Sequence, residues 1–179
     1  GLQTLSGMSQ LKLIDCETPY GSASLSIGEL GGQEVAFLTR HGAGHSIAPH
    51  AINYRANIRA LADLGVESVI AVNAVGGITP AMGAEAICIP DQIIDYTFGR
   101  DDTYFDGVFK PLDHVDFSYP YDGALSEKLF AAANSIEEKV QMGGVYAATQ
   151  GPRLETVAEI LRLEKDGCHV VGMTGMPEA

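Results

Sequence analysis

The sequence predicts a three-layer α/β sandwich, because short apolar runs typical of buried strands alternate with segments of helical periodicity. Two of these runs, at residues 34–38 and 68–72, break directly into glycines and small polar residues. In α/β proteins a Gly-rich turn after a buried parallel strand is a common ligand site, since its backbone N–H groups can face a bound anion. The 179 residues fit a single domain with a substantial core.

The elements of the first half follow in chain order. Residues 22–27 alternate as a strand, and after a Gly-Gly turn residues 34–38 return as a second strand. Residues 52–64 carry an apolar stripe at helical spacing and stop at Gly65, so they predict an amphipathic helix. Residues 68–72 complete a β-α-β order, which predicts a parallel crossover.

The second half continues the alternation. It predicts strands at residues 86–89, 92–96, 144–148 and 168–171, and helices at residues 125–133 and 154–165. The segment 101–120 is rich in Asp, Tyr, Phe and Pro and has no clear period. It therefore predicts an ordered functional loop.

The composition indicates a globular protein with an acidic surface. A hydrophobic fraction of 46% and a charged fraction of 19% are values of folded domains and not of disordered chains. Eleven basic against 23 acidic residues give a net charge of −12, which disfavours nucleic acid and anionic membranes as partners. The cysteines Cys16, Cys88 and Cys168 lack CxxC spacing and predict reduced thiols in the cytoplasm.

Polar residues after the apolar runs predict an anion pocket. Arg40 offers a permanent cation whose planar fork fits two phosphate oxygens. Asn73 and Ala74 follow the run 68–72, and their backbone N–H groups can complete a phosphate cradle, although a plain strand end is the alternative. Thr174 can cap a helix, whose N-terminus also attracts anions. His41 and His45 are four residues apart, but the intervening glycines oppose a zinc-binding helix, so no metal site is predicted.

Six ordered motifs carry a resemblance to a known family. They are RHG-x-x-H from Arg40, NYRANIRAL from Asn53, VNAVGGI from Val72, GRDDTYFDG from Gly99, TQGPRLETVAEI from Thr149 and GMTGMPEA from Gly172. The chain resembles the trimeric purine nucleoside phosphorylase and methylthioadenosine phosphorylase family, and within it the bacterial S-methyl-5′-thioinosine branch. The resemblance implies the family's phosphorylase fold, with a mixed sheet at its centre. It also implies one domain over residues 1–179 that lacks the family's first strand, with its GGTG loop, and its C-terminal part.

The same resemblance assigns roles to individual residues. The residues implied for phosphate are Arg40, His41, Asn73, Ala74 and Thr174. Those implied for the nucleoside are Leu154, Glu155, Met173 against the ribose and His114, which reaches the 5′ end across a subunit interface. No cofactor or metal is implied, because inorganic phosphate is a co-substrate. The family's Asp or Asn contact to the leaving base falls beyond Ala179.

Glu155 bears on the choice of base. Family members acting on 6-oxopurines carry Glu at this position, whereas a methylthioadenosine branch carries Ser. A carboxylate accepts a hydrogen bond from the ring N–H beside a 6-oxo group, but adenine presents a lone pair there, and two facing acceptors cost about 1–3 kcal/mol. The structural alternative is that Glu155 is an ordinary carboxylate in the first turn of a helix, with no role in binding the base.

The resemblance thus implies a pentosyltransferase of purine salvage in the cytoplasm. The favoured reaction is phosphorolysis of S-methyl-5′-thioinosine by a homotrimer. The alternatives are a methylthioadenosine phosphorylase, a general purine nucleoside phosphorylase, or a nucleoside- or phosphate-binding fragment without activity.

Overall fold

Within the residues that the computed structural model describes, 4–105, 107 and 111–179, the chain forms nine strands and three α-helices. The strands are β1 (Ser9–Thr18), β2 (Gly21–Leu30), β3 (Gln33–Phe37), β4 (Gly76–Gly77), β5 (Ile87–Ile89), β6 (Gln92–Asp95), β7 (Val140–Met142), β8 (Val145–Ala148) and β9 (Val170–Gly172). The helices are α1 (Tyr54–Asp63), α2 (Gly123–Ser135) and α3 (Val157–Lys165).

The first three strands form an antiparallel sheet in the order β1-β2-β3, which packs against α1. Alternation along β2 turns Ala23 and Leu25 to one face, where both are buried against Ala56 of α1. Asn53 starts the helix, because its side chain accepts a hydrogen bond from the Ala56 N–H at 3.0 Å. The predicted amphipathic helix is confirmed, with bounds slightly inside the predicted ones.

A second, mixed sheet has the order β4-β9-β8-β6. β4 runs antiparallel to β9, whereas β9, β8 and β6 run parallel. Tyr146 and Ala148 of β8 are buried on one face, and Ala147 is buried on the other beside Leu163 of α3. β8 is therefore apolar on both faces, as parallel strands usually are. The predicted α/β class with a mixed sheet is confirmed. β5 and β7 form a separate parallel pair that contacts α2.

The predicted strand at residues 68–72 is wrong. This segment is extended but irregular, and the side chains of Val69, Ile70 and Val72 are 49%, 57% and 44% exposed. A strand needs a neighbour to take up its N–H and C=O groups, and no strand within the described residues pairs with it. The predicted parallel β-α-β crossover is absent for the same reason.

The other differences between the predicted and the observed elements are of two kinds. Some element bounds shift by one to three residues, and some observed strands had no signal in the sequence. α3 begins at Val157 and not at 154, because Thr156 and Glu159 form a capping box that fixes the first turn. Three strands, β1, β4 and β7, were not predicted: β1 has many exposed side chains, β4 consists of two glycines, and β7 is only three residues long.

The loop predicted at residues 101–120 contains no helix or strand among its described residues, which exclude 106 and 108–110. Its first part is anchored to α1. Arg55 Nη2 donates to Asp101 at 2.8 Å, and the Tyr104 hydroxyl donates to the Arg55 carbonyl at 2.7 Å. Residues 111–119 are all exposed.

Candidate active site

The candidate site lies where β3, β8 and β9 end. Arg40 comes three residues after β3 and reaches two segments that are distant in sequence. Its Nη1 donates to the Val72 carbonyl at 3.1 Å, and its Nε and Nη2 donate to the two carboxylate oxygens of Glu178 at 2.6 and 2.5 Å. Burial lowers the pKa of Arg40, but the hydrogen bond and negative charge of Glu178 outweigh it, so the net pKa is raised above its ordinary value.

Asn73 and Thr174 meet beside this pair. The Thr174 hydroxyl donates to Asn73 Oδ1 at 2.9 Å, and the Thr174 side chain is buried. Because Arg40 binds the carbonyl of Val72, the residue just before Asn73, the cation and both neutral groups belong to one cluster. The structure thus brings together three of the five residues that the sequence predicted for phosphate.

His41 is buried next to this cluster, and its role in phosphate binding stays a prediction. Its Nδ1 lies 2.9 Å from the carbonyl oxygen of Ile47. A carbonyl only accepts, so Nδ1 carries the proton and Nε2 of the neutral ring is an acceptor. Burial is the main reason that the pKa of His41 is lowered from 6.5, and the nearby His45, with ring centroids 4.3 Å apart, lowers it further. At neutral pH His41 can accept a hydrogen bond from a protonated phosphate oxygen.

Glu155 faces a cavity of about 430 Å³. It lies just before Thr156, the N-cap of α3, so its interpretation as a first-turn helix residue is wrong. The Thr149 hydroxyl donates to Glu155 Oε1 at 2.7 Å, while the Thr149 N–H donates to the Gly172 carbonyl at 2.8 Å. Glu155 is therefore tied through Thr149 to the end of β9. Tyr96, Phe98 and Gln150 also line the cavity, so a planar ring can find apolar faces and polar edges there.

Met173 lies between the phosphate cluster and the Glu155 segment. Its thioether contacts Gly151, where a Cβ would clash with Met173 Sδ and where φ is +60°. Only glycine adopts this conformation without strain and also leaves room for the sulfur. Gly172, just before Met173, is constrained in another way, because a Cβ there would clash with the Tyr146 hydroxyl.

Arg100 connects these segments, and sequence reasoning assigned it no role. Its guanidinium is partly buried. Its acceptors are the carbonyls of Met173 (2.8 Å), Met176 (2.6 Å), Gln150 (3.0 Å) and Thr149 (3.4 Å), Gln150 Oε1 (3.2 Å) and the Tyr54 hydroxyl (3.2 Å). The acceptors come from three parts of the chain, so no local spacing could have indicated them. Glu178 was missed for the same reason, since 138 residues separate it from Arg40.

Three residues that the sequence predicted for the binding site take no part in these contacts. Leu154 is 79% exposed and does not line the cavity of Glu155. Ala74 is exposed beside Asn73, and His114 is exposed within residues 111–119. Their proposed roles remain predictions.

The residues described by the structure contain no group of three or more His, Cys, Asp or Glu side chains arranged to hold a metal ion. No described helix is both long enough and apolar enough to cross a membrane.

The candidate site thus combines a cation, a hydroxyl and an amide beside a mixed sheet with a nearby cavity that a carboxylate faces. A family model described as "Phosphorylase superfamily" matches residues 3–179. The chain belongs to this superfamily, and the family predicted from the sequence is confirmed.

Several named relatives agree with this assignment. The chain is 53% identical over 181 residues to a probable S-methyl-5′-thioinosine phosphorylase of Pseudomonas syringae pv. tomato, covering 100% of this chain and 74% of that protein. It is 48% identical to the 6-oxopurine nucleoside phosphorylase of Pyrococcus furiosus, covering 91% and 63%. A methylthioadenosine phosphorylase structure from an Antarctic soil metagenomic library superposes with a TM-score of 0.91 at 35% identity, covering 97% and 62%. The chain thus spans about three quarters of the first relative and less than two thirds of the other two.

The lowered pKa of His41 predicts a pH dependence of stability. Between that pKa and 6.5 the unfolded chain binds more protons than the folded one, so the free energy of unfolding should fall as pH drops through this window. His41→Gln should flatten the dependence, because the group no longer titrates. Urea unfolding at closely spaced pH values from about 5 to 7 measures it. The matched control is His50→Gln at an exposed histidine. Equal slopes in wild type and His41→Gln would refute the prediction.

Proposed function

We propose that this protein is a pentosyltransferase that cleaves a 5′-methylthio purine nucleoside with inorganic phosphate, S-methyl-5′-thioinosine being the favoured substrate. A phosphate oxygen forms a bond to the ribose C1′, and the bond from C1′ to the purine nitrogen breaks. The electron pair stays with the purine, which takes a proton. The products are free purine and 5-methylthioribose 1-phosphate.

The observation that carries this proposal is the cluster of Arg40, Asn73 and Thr174. Three donor-bearing side chains from distant parts of the chain converge at one edge of the fold. Phosphate held there supplies negative charge beneath the cation-like ribose as the glycosidic bond opens, so catalysis is mainly positioning and electrostatics. His41 and the backbone of Ala74 complete the phosphate site in this proposal.

The nucleoside occupies the adjoining region. Met173, directly before Thr174 in sequence, packs against the ribose, and Leu154 and Glu155 contact the base. The preference for a 6-oxopurine rests on the Glu155 carboxylate, and it agrees with the names of the Pseudomonas and Pyrococcus relatives. The name of the metagenomic structure supports a second candidate, S-methyl-5′-thioadenosine. Rates of phosphate-dependent purine release from the two nucleosides, measured side by side, decide between them, and no release from either refutes the function.

We also propose that the protein acts as a homotrimer in cytoplasmic purine salvage, with His114 completing a neighbour's site. The support for an interface is a group of exposed apolar side chains in and near the loop 101–120. They are Phe98 (71% exposed), Leu112 (73%), Val115 (65%), Phe117 (44%) and Tyr119 (87%). Apolar residues clustered on a surface are typical of protein interfaces. The support for a reducing compartment is that Cys16, Cys88 and Cys168 are unpaired.

Replacing Arg40 tests the phosphate site. Arg40→Lys keeps the charge but loses the fork, so we expect the KM for phosphate to rise by roughly ten- to a hundredfold, the value of one or two charged hydrogen bonds. The KM for the nucleoside should change little. Arg59→Lys is the matched control, because Arg59 pairs with Asp63 on the surface of α1. If the KM for phosphate of Arg40→Lys equals that of wild type, Arg40 does not bind phosphate.

Replacing Glu155 tests whether its carboxylate determines the preference for a 6-oxopurine base. Glu155→Gln turns a charged acceptor into a neutral amide, so efficiency on the 6-oxo nucleoside should fall roughly ten- to a hundredfold. The amide can offer an N–H to adenine, so the 6-amino nucleoside should lose less or gain. The measured quantity is the ratio of kcat/KM for the two substrates. If this ratio equals that of the wild type, Glu155 does not read the base.

Dilution tests the interface. If His114 completes a neighbouring site, specific activity should fall as the protein is diluted below the dissociation constant of the oligomer. His114→Ala should lower activity without changing the sedimentation behaviour, whereas Tyr119→Asp should shift the oligomer towards monomer. A monomer with full specific activity contradicts the shared site.

A further inference from the structure

The Arg40–Glu178 pair differs from the other ion pairs of the described residues in its burial. Its side chains are 10% and 12% exposed, whereas the arginine of every other ion pair in residues 4–105, 107 and 111–179 is at least 19% exposed. The pair also joins residues from opposite ends of the chain. Two charges removed from water hold each other in a fixed geometry when they are bonded at two points.

The hydrogen bonds of Arg40 leave a defined part of its guanidinium for a ligand. A guanidinium has five N–H groups. Glu178 takes the one on Nε and one on Nη2, and the Val72 carbonyl takes one on Nη1. One N–H therefore remains on Nη1 and one on Nη2 within the described structure. Each of these two N–H groups can donate to an oxygen of a bound phosphate.

We propose that Glu178 is a positioning residue for phosphate: it fixes the plane of the Arg40 guanidinium and aims the two remaining N–H groups at phosphate bound beside Asn73 and Thr174. This inference rests on the proposed function and deepens it. Arg40 has a long side chain with many rotamers, and ordering it only when phosphate arrives would cost affinity. Glu178 orders the side chain in advance.

A positioning role and simple electrostatics predict opposite changes in phosphate affinity when the Glu178 carboxylate is removed. Glu178 is a negative charge next to a site for a dianion, so on Coulomb's law alone its removal should tighten phosphate binding. If its main effect is to hold Arg40, its removal should weaken phosphate binding in spite of the lost repulsion. The direction of the change therefore identifies the role.

The experiment compares Glu178→Gln and Glu178→Asp with wild type. Glu178→Gln keeps the size of the side chain but offers one acceptor oxygen, and we expect the KM for phosphate to rise by up to about a hundredfold. The KM for the nucleoside should stay unchanged, which a general loss of structure would not allow. Glu178→Asp keeps both oxygens one methylene shorter and should recover part of the phosphate affinity.

A second readout does not depend on turnover. Inorganic phosphate should raise the Tm of wild type with the logarithm of one plus the ratio of its concentration to Kd, and the Glu178→Gln protein should need more phosphate for the same rise. Sulfate serves as the comparison anion. Asp63→Asn is the matched control, because it removes the carboxylate partner of Arg59, whose Nε it binds with both oxygens on the exposed face of α1.

The possible results distinguish failure of the proposed function from failure of the positioning role of Glu178. If wild type shows neither phosphate-dependent cleavage nor a phosphate-induced rise in Tm, the proposed function fails. If wild type shows both and Glu178→Gln binds phosphate equally or more tightly, the positioning role is overturned and the function stands. A parallel loss of affinity for phosphate and nucleoside would also overturn it, because that result indicates a structural role.

Discussion

The contacts of the Arg100 guanidinium hold the candidate site together. Parallel strands β8 and β9 end side by side, and no strand within the described residues pairs with the carbonyls just beyond them. Arg100 donates to carbonyls of both continuing segments, at Gln150 and Met173. One side chain thus fixes the distance between the segment that carries Glu155 and the segment that carries Met173 and Thr174. A charged donor makes stronger hydrogen bonds than a neutral one, which suits a junction that must stay rigid.

The candidate site lies in a protein with a negative net charge, which affects how an anion can bind there. A net charge of −12 repels a phosphate dianion at long range. The positive charge of Arg40 does little to reverse this field, because the Glu178 carboxylate neutralises it at 2.6 Å. In the proposed site, affinity for phosphate therefore comes from directed hydrogen bonds, such as those of the remaining Arg40 N–H groups and of the Asn73 amide nitrogen, whose oxygen already accepts from Thr174. Geometry, more than net charge, decides whether the anion binds.

The sequence predicted those parts of the fold that local chemistry determines. The apolar stripe of α1, with its stop before Gly65, and the short apolar run of β8 depend on residues close in sequence, and both elements were found. The strand at residues 68–72 was not, because an apolar run becomes a strand only beside a partner, and pairing is a long-range property. The same distinction applies to the site. The motifs of Arg40, Asn73 and Thr174 predicted that these residues come together, and they do, while their binding of phosphate stays a prediction. The contacts of Arg100 and Glu178 exist only after folding.

The hydrogen bonds of Thr149 link Glu155, which we propose contacts the base, to Gly172 at the end of β9. The Thr149 hydroxyl donates to Glu155 Oε1 at 2.7 Å, and the Gly172 carbonyl is a longer second acceptor at 3.3 Å. In the described structure Glu155 Oε2 therefore remains as an acceptor for a ligand N–H. The Thr149 N–H binds the Gly172 carbonyl, and Met173 and Thr174 follow directly. A change that moves Glu155 therefore acts on the strand end next to Met173 and Thr174, the residues proposed for the ribose and the phosphate. Residues coupled in this way have non-additive effects, so a switch of base preference made at position 155 alone should also disturb phosphate binding unless Thr149 keeps a partner.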